Sequence, residues 1–215
     1  MKKFLILFCL LVLGLQAQAQ SAYHFQRCSL FETLPVTSKD IVFLGNSITD
    51  FCEWTELFGN PRIKNRGISG DRTGWMLERL DPIIEGTPKT LFLLIGTNDL
   101  AAGVSPDTVV RNITRIVERF RAESPRTKIY VQSIFPVNPD FPNYAKRHGS
   151  KGAEIIEVNR ALEKMCAEKG VTYIDLYSVL ADEEGKLRKE FTNDGLHLMA
   201  PGYLAWKETI ESYVK

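Results

Sequence analysis

The stretch Ile41-Val42-Phe43-Leu44-Gly45-Asn46-Ser47 is a short apolar run that ends in a glycine and two polar residues. Four consecutive apolar residues bounded in this way are typical of a strand that is buried on both faces of a parallel sheet. Similar runs lie at residues 91–95, 128–134 and 171–176, and a weaker one lies at residues 62–65. The sequence therefore predicts four buried strands and a weaker fifth.

Helical patterns separate these strands. Ser105 and Pro106 supply an N-cap and a first-turn proline, and apolar residues then recur at helical spacing until Ser124-Pro125. Further helical stripes lie at residues 76–84, 155–166 and 203–214. Because strands that alternate with helices are joined by right-handed crossovers, we expect residues 41–215 to form one α/β domain, a three-layer α/β/α sandwich.

The composition is that of an ordinary globular chain, and it excludes two classes of function. Of the 215 residues, 44% are hydrophobic and 25% are charged, which is enough to build a core. Lys and Arg number 27 against 26 Asp and Glu, so no basic excess is present to bind the phosphates of a nucleic acid. The three histidines and four cysteines show no close spacing, which argues against a structural zinc site.

Residues 1–19 have the layout of a secretory signal peptide. Lys2 and Lys3 precede a mostly apolar run at residues 4–15, and Ala17-Gln18-Ala19 follows it. The run is shorter than the ~20 residues that a transmembrane helix needs. We expect cleavage after Ala19, a secreted or periplasmic protein with no integral membrane segment in the mature chain, and a lead-in segment at residues 20–40.

Export permits disulfide bonds, and three cysteines lie beyond the expected cleavage point. They are Cys28, Cys52 and Cys166. An odd number leaves at least one of them unpaired within a monomer. Cys166 falls on the apolar face of a predicted helix and is expected in the core, while spacing alone leaves a Cys28–Cys52 bridge open.

Polar segments follow three of the predicted strands, and a fourth precedes the last helix. They are Gly45-Asn46-Ser47, Gly67-Ile68-Ser69-Gly70-Asp71, Gly96-Thr97-Asn98-Asp99 and Asp194-Gly195-Leu196-His197. Because ligands bind at the carboxyl ends of the strands in an open parallel sheet, we expect these segments to share one edge. A serine, a histidine with a carboxylate, and backbone and amide donors are the parts that acyl transfer requires.

In this order, the four segments resemble the signature blocks of the SGNH hydrolases, also called the GDSL family, from about residue 41 onward. The resemblance implies that Ser47 is the nucleophile and that His197 is the general base and acid, oriented by Asp194. It also implies an oxyanion hole formed by the N–H groups of Ser47 and Gly70 and by the Asn98 amide. The family fold is a flavodoxin-like sandwich with about five parallel strands, and no metal or organic cofactor is implied.

One position departs from the family pattern, since Asn46 replaces the aspartate of the family's name. We expect little loss of activity from this change, because the position is not the nucleophile, although it removes a charge beside Ser47. The rival α/β-hydrolase architecture is excluded. Its Gly-x-Ser-x-Gly elbow requires glycine where Thr49 stands.

Some of these polar residues, considered one at a time, have other possible roles. Ser47 alone could be a helix N-cap, and Ser69 is a competing nucleophile, although its flanking glycines favour a turn. Asp71 is expected to cap the helix that follows it.

The two remaining histidines are expected to be exposed bystanders. They are His24 and His148. His148 falls within residues 135–152, a proline-rich stretch that is expected to form a long loop, where it could contact substrate.

The expected function is a secreted serine esterase that removes small acyl groups, chiefly acetyl, from carbohydrate. The expected partner is therefore a small-molecule or carbohydrate ester and not a nucleic acid; the sequence does not specify an oligomeric state. Two alternatives stay open: a lysophospholipase or broad arylesterase that uses the same triad, and a catalytically silent glycan-binding module. The preference for carbohydrate rests on analogy with exported bacterial members of the family.

Overall fold

Five parallel strands form the central sheet in a computed structural model, which describes residues 20–214. The strands are β1 (Ile41–Gly45), β2 (Ile63–Gly67), β3 (Thr90–Leu94), β4 (Lys128–Gln132) and β5 (Thr172–Ile174). They lie in the order β2-β1-β3-β4-β5, which is the flavodoxin-like order. The predicted α/β fold with about five parallel strands is confirmed.

Ten α-helices lie along the described part of the chain. They are α1 (Ala22–Thr33), α2 (Ser47–Asp50), α3 (Trp54–Phe58), α4 (Thr73–Leu77), α5 (Asp81–Glu85), α6 (Thr97–Ala101), α7 (Pro106–Glu123), α8 (Gly152–Lys169), α9 (Tyr177–Leu180) and α10 (Ala200–Ile210). Three 3-10 turns lie at Gly149–Lys151, Lys189–Phe191 and Glu211–Tyr213.

Alternate residues of each strand face opposite sides of the sheet, as strand geometry requires, and both sides are buried. One face, which includes Val42 and Leu93, packs against α4, α5, α7 and α8. The opposite face, which includes Phe43 and Phe92, packs against α2, α3, α9 and α10. Two cores on the two sides of one sheet are the reason that its strands are continuous apolar runs.

Aromatic side chains dominate the second core. Phe43 stacks on Trp54 and on Phe92, with ring centroids 4.1 and 4.8 Å apart. The edge of Trp206 meets Trp54 at 4.6 Å, and the Trp206 indole N–H donates to Gln132 at 2.7 Å. Each buried indole thus satisfies its donor, since Trp54 donates to the Thr49 carbonyl.

Of the two longest helices, α7 begins and ends where the sequence predicts, and α8 contains the apolar stripe predicted at residues 155–166. The Ser105 side chain caps α7, Pro106 is its first residue, and Ser124 follows its last residue. Gly170 ends α8 in the left-handed conformation, with φ of 62°. Capping residues therefore locate both ends of α7, whereas α8 is located by its apolar stripe and its terminal glycine.

The stripe at residues 76–84 is not one helix, as its spacing suggested, but the two short helices α4 and α5. Pro82 lies in the first turn of α5 and has no N–H to donate to the carbonyl of Glu78. An uninterrupted helix would lose this hydrogen bond and would place the proline ring against that carbonyl.

The lead-in at residues 20–40 contains α1, which packs beside β2. The Arg66 guanidinium, which belongs to β2, lies 4.7 Å above the Phe31 ring and donates to the Leu34 carbonyl at 2.9 Å. The predicted signal peptide, residues 1–19, lies outside the described residues. Within residues 20–214, no helix combines the length and the apolar character that crossing a membrane demands.

The cysteines of the described chain, Cys28, Cys52 and Cys166, are all free thiols. The Cys28–Cys52 bridge that the spacing left open is not formed. Cys52 and Cys166 are buried, and burial raises the pKa of the Cys52 thiol to about 12. A thiol that stays protonated is a poor nucleophile, so these two residues are structural.

We predict that Phe43→Ala lowers the free energy of unfolding by about 3–5 kcal/mol, because it opens a cavity between Trp54 and Phe92. Phe43 is 1% exposed. The control is Phe25→Ala, since Phe25 is 60% exposed and its loss should cost less than about 1 kcal/mol. Urea unfolding of both variants measures the difference; equal losses would contradict the assigned core.

Candidate active site

The candidate site lies where the strand order reverses, between β1 and β3. Ser47 follows β1 and begins α2, and Asn98 lies in α6, which follows β3. Open α/β sheets bind ligands at this switch point, outside the carboxyl ends of the strands.

Asn46 is the N-cap of α2, because its side-chain oxygen accepts the N–H of Ile48 at 3.0 Å. The capping role that Ser47 could have had is therefore filled by its neighbour.

Ser47, His197 and Asp194 form a line of two hydrogen bonds. The Ser47 Oγ lies 3.0 Å from the Nε2 of His197, and the Nδ1 of His197 lies 2.7 Å from the Oδ2 of Asp194. The serine is 150 residues away from the histidine in the chain. This arrangement can remove the serine proton and hold the resulting imidazolium beside a carboxylate.

Asp194 is held by the backbone as well as by the imidazole. Its Oδ1 accepts the N–H groups of Leu196 and His197, at 2.9 and 2.8 Å. Burial raises the pKa of Asp194, but the hydrogen bonds from His197 and Leu196 outweigh it and leave that pKa below its ordinary value. The carboxylate therefore stays ionised and fixes the Nδ1–H tautomer of His197.

The two backbone N–H groups predicted for the oxyanion hole make no hydrogen bond to the described part of the protein. Within residues 20–214, the N–H groups of Ser47 and Gly70 donate to no protein acceptor. Ser47 is at the start of α2, where helical N–H groups have no partner within the helix. Gly70 has φ of +81° and is exposed, so a side chain there would be strained. Both donors are available to a ligand.

Asn98 is placed by Gly96 and held by its neighbours. Gly96 has φ of +129°, and a Cβ at this position would meet Ile134 at 2.6 Å, so only glycine fits the turn between β3 and α6. The Nδ2 of Asn98 donates to the Asp71 carbonyl at 3.0 Å, and its Oδ1 lies 3.1 Å from the Nε2 of His148.

The sequence suggested that Asp71 caps the following helix, and this prediction is wrong. It is 1% exposed, and its Oδ2 accepts from the Nε and Nη2 of Arg79, at 2.8 and 2.6 Å. Arg72 occupies the N-cap position of α4 without a capping side-chain bond. Burial of a carboxylate costs free energy unless a partner compensates it, and Arg79 supplies a charged partner for Asp71 from the same segment.

The expectation that His24 and His148 are exposed is wrong. They are 4% and 5% exposed. His24, from α1, lies 3.6 Å from Asp71, so the lead-in segment contacts the support of the site. Sequence spacing could not show either contact, because both partners come from distant segments.

A second buried carboxylate supports the loop that carries Asn98. Asp99 accepts the backbone N–H of Thr73 at both oxygens and the Thr73 hydroxyl at 2.6 Å. The side chain of Asn112, in α7, donates to the same hydroxyl at 2.9 Å. This series of hydrogen bonds thus joins α4, α6 and α7 behind the site.

The structure links the five residues predicted for the site in two hydrogen-bonded groups. Direct contacts join Ser47, Asp194 and His197, and the Asp71 carbonyl, next to Gly70, joins Asn98 to the glycine-rich turn. The serine hydroxyl beside the His197 imidazole is that of Ser47, whereas the backbone N–H of Ser69 donates to Asp50. The residues that sequence reasoning missed are the buried supports: Arg79, His148, Thr73 and Asp99. A lone arginine beside the apolar stripe at residues 76–84 was the one available signal.

Comparisons with known proteins identify the family to which the chain is similar. The model of the GDSL-like lipase/acylhydrolase family matches residues 43–205. This chain is similar to the platelet-activating factor acetylhydrolase IB subunit alpha2 of Rattus norvegicus, with 27% identity over 170 residues, which cover 76% of this chain and 71% of the relative.

Solved structures share the fold over nearly the whole length. A candidate platelet activating factor from Streptococcus pneumonia is 32% identical, with a TM-score of 0.82, and the match covers 90% of this chain and 93% of that one. A catalytic mutant of an acetylxylan esterase from Geobacillus stearothermophilus has a TM-score of 0.66 at 15% identity, over 83% and 95% of the two chains. The latter likeness is one of fold alone.

Asp99 makes the stability of the site dependent on pH. Burial raises the pKa of Asp99 to about 6, outweighing the hydrogen bonds from Thr73. A raised pKa stabilises the fold while the carboxyl is protonated, and this contribution is lost as the pH rises through about 6. We predict that the wild type loses stability relative to Asp99→Asn between about pH 4 and pH 7, by at most about 1.4 kcal/mol per pH unit.

Urea unfolding of both proteins across this range measures the difference. A wild-type advantage that grows with pH would contradict the raised pKa.

Proposed function

The chain belongs to the GDSL-like lipase/acylhydrolase family and is a carboxylic ester hydrolase, and from this premise we propose a secreted serine esterase that removes small acyl groups, chiefly acetyl, from carbohydrate. The resemblance to the SGNH hydrolases is confirmed by the family match. The observation that carries the proposed mechanism is the contact of 3.0 Å between the Ser47 Oγ and the His197 Nε2.

In the proposed mechanism, Ser47 attacks the ester carbonyl while His197 takes its proton. Asp194 keeps the imidazole oriented and stabilises its positive charge. His197 then donates the proton to the leaving alcohol, and an acyl group remains on Ser47. Water hydrolyses this acyl-enzyme by the same route, with His197 again acting as base and then as acid.

The negative oxygen that forms at the carbonyl carbon is stabilised by three donors. They are the N–H groups of Ser47 and Gly70, which lack protein acceptors, and one N–H of the Asn98 amide. Preorganised donors of this kind favour the transition state over the planar ester, because the oxygen gains charge only as the reaction proceeds.

A preference for small acyl groups is supported by the packing beside the nucleophile. Ile48 and Leu196, the neighbours of Ser47 and His197, are both buried. They line an enclosed space of only about 10 Å³, together with residues of the β3 end. That space is too small to hold a long acyl chain, whereas an acetyl group, which ends within two carbon atoms of the reacting centre, does not need it.

The alternative, a lysophospholipase or arylesterase, is favoured by a different observation. A groove of about 490 Å³ lies beside His197 and includes Phe51, Leu57, Tyr203 and Leu204 in its lining. Phe51 is 55% exposed, and its ring lies 5.1 Å from that of His197. An apolar alcohol could occupy this groove while a small acyl group reacts, which is compatible with the acetylhydrolase name of the mammalian relative.

The remaining alternative, a silent glycan-binding module, does not account for Asp194. Sugar binding alone has no need for a carboxylate held by two backbone N–H groups behind a histidine that contacts a serine. Export of the enzyme stays part of the proposal and rests on the pattern of residues 1–19, which precede the described chain.

We predict that the purified mature protein hydrolyses p-nitrophenyl acetate faster than the butyrate and the octanoate, and that Ser47→Ala abolishes all three rates. The comparison of kcat/KM across the series tests acyl size, and acetylated xylan against an acetylated fatty alcohol tests the leaving group. A preference for octanoate would exclude the small-acyl proposal. Rates equal to those of Ser47→Ala on every ester would exclude the esterase.

Removal of the Asn98 amide tests the oxyanion assignment. We predict that Asn98→Ala lowers kcat by roughly 10²-fold or more and changes KM little, because the donor acts mainly in the transition state. Thermal unfolding of the variant controls for loss of structure. A kcat within about twofold of the wild type would contradict the role of Asn98.

A further inference from the structure

His148 is a buried group that the proposed mechanism does not use. It lies immediately before the turn Gly149–Lys151, and its backbone N–H donates to the Tyr144 carbonyl at 2.9 Å. The Nε2 of His148 contacts only Asn98 Oδ1, at 3.1 Å, and its buried Nδ1 has no hydrogen-bond partner within residues 20–214. The one polar contact of the ring is therefore with Asn98, the candidate oxyanion donor.

The hydrogen-bond partners determine the orientation of the Asn98 amide. The Asp71 carbonyl can only accept, so the group that faces it at 3.0 Å must be the Nδ2 of Asn98. The Oδ1 therefore faces His148, and an amide oxygen can only accept. It follows that the Nε2 of His148 carries the proton and that the ring donates to Asn98.

The same reasoning excludes the other states of the ring. A neutral His148 with its proton on Nδ1 would bury an N–H without an acceptor and would oppose two lone pairs at Asn98. A doubly protonated ring would bury that N–H and a charge. Burial, with Arg147 and His197 nearby, lowers the pKa of His148 to about 4, although Asp194 opposes this shift.

We propose that His148 is a positioning residue of the esterase, which holds the carbonyl end of Asn98 so that one amide N–H remains directed at the oxyanion. This inference rests on the proposed function. Two anchors, the Asp71 carbonyl and the His148 N–H, grip opposite ends of the amide. Without His148, only the Asp71 carbonyl holds the amide, and an amide that rotated or flipped would direct its N–H away from the oxyanion or present its oxygen to a negative charge.

The ring itself packs against Tyr144 of the same loop, and Tyr144 also contacts His197. The Tyr144 ring meets His148 edge-on at 5.3 Å and His197 at 5.4 Å between centroids. One loop therefore contacts the proposed base and the support of the proposed oxyanion donor.

His148→Gln and His148→Asn form a matched pair of variants. A glutamine amide nitrogen reaches about the position of Nε2 and can donate to Asn98, whereas an asparagine amide nitrogen ends near Nδ1, where no partner lies. We expect His148→Asn to lower kcat on p-nitrophenyl acetate about 10-fold with KM within about twofold. We expect His148→Gln to recover most of the loss. Wild-type kcat in His148→Asn, or equal losses in both variants, would overturn the proposal.

A double-mutant cycle separates positioning from general support of the structure. In an Asn98→Ala background, His148→Asn should change kcat by less than about twofold, because the amide that it positions is absent. The same 10-fold loss in both backgrounds would overturn the proposal. If His148→Asn fails to fold in thermal unfolding, His148→Leu replaces it in the cycle.

The wild type and Ser47→Ala are measured alongside, because they distinguish failure of the proposed esterase function from failure of the proposed role of His148. Absence of any Ser47-dependent hydrolysis would overturn the proposed function and this inference with it. Normal wild-type hydrolysis with an additive cycle would overturn the role of His148 alone.

Discussion

The guanidinium of Arg79 joins three segments that carry the site. It donates to the Asp71 carboxylate and, through Nη2, to the carbonyls of Gly45 and Arg66, at 3.2 and 3.1 Å. Gly45 ends the strand before Ser47, and Arg66 is in the strand before Gly70. A buried guanidinium is tolerated only with such partners, so its position restricts where both backbone donors can lie.

A second level of support acts on side chains. The Asp71 carbonyl and His148 hold the two ends of Asn98, while Asp194 holds both the ring and the backbone N–H of His197. The Asn98 and His197 side chains, which would act on the ester with Ser47, are thus each held by other groups of the protein. Preorganisation of this kind keeps donors in place before charge develops, which is where electrostatic catalysis gains most.

The elements that sequence reasoning located best are those with local signals. The strand at residues 41–45 is a continuous apolar run, and α7 is bounded by Ser105 and Ser124. The single helix expected at residues 76–84 was wrong, because the proline that divides it outweighs the apolar spacing. The exposure expected for His148 was wrong for a different reason. The burial of a lone polar residue depends on which distant segment packs over it, and the local sequence pattern does not identify that segment.

The sequence by itself determined the α/β class, the alternation of strands with helices, and the residue types that gather at one sheet edge. These follow from hydrophobic periodicity, capping residues and the rule that parallel strands present their carboxyl ends together. Only the tertiary structure decided the contact between Ser47 and His197, the burial of Asp71 with Arg79, and the hydrogen bond from His148 to Asn98. Each joins groups from separate segments, at separations that reach 150 residues. A hydrogen bond depends on tenths of an ångström and on direction, which packing sets and spacing along the chain does not.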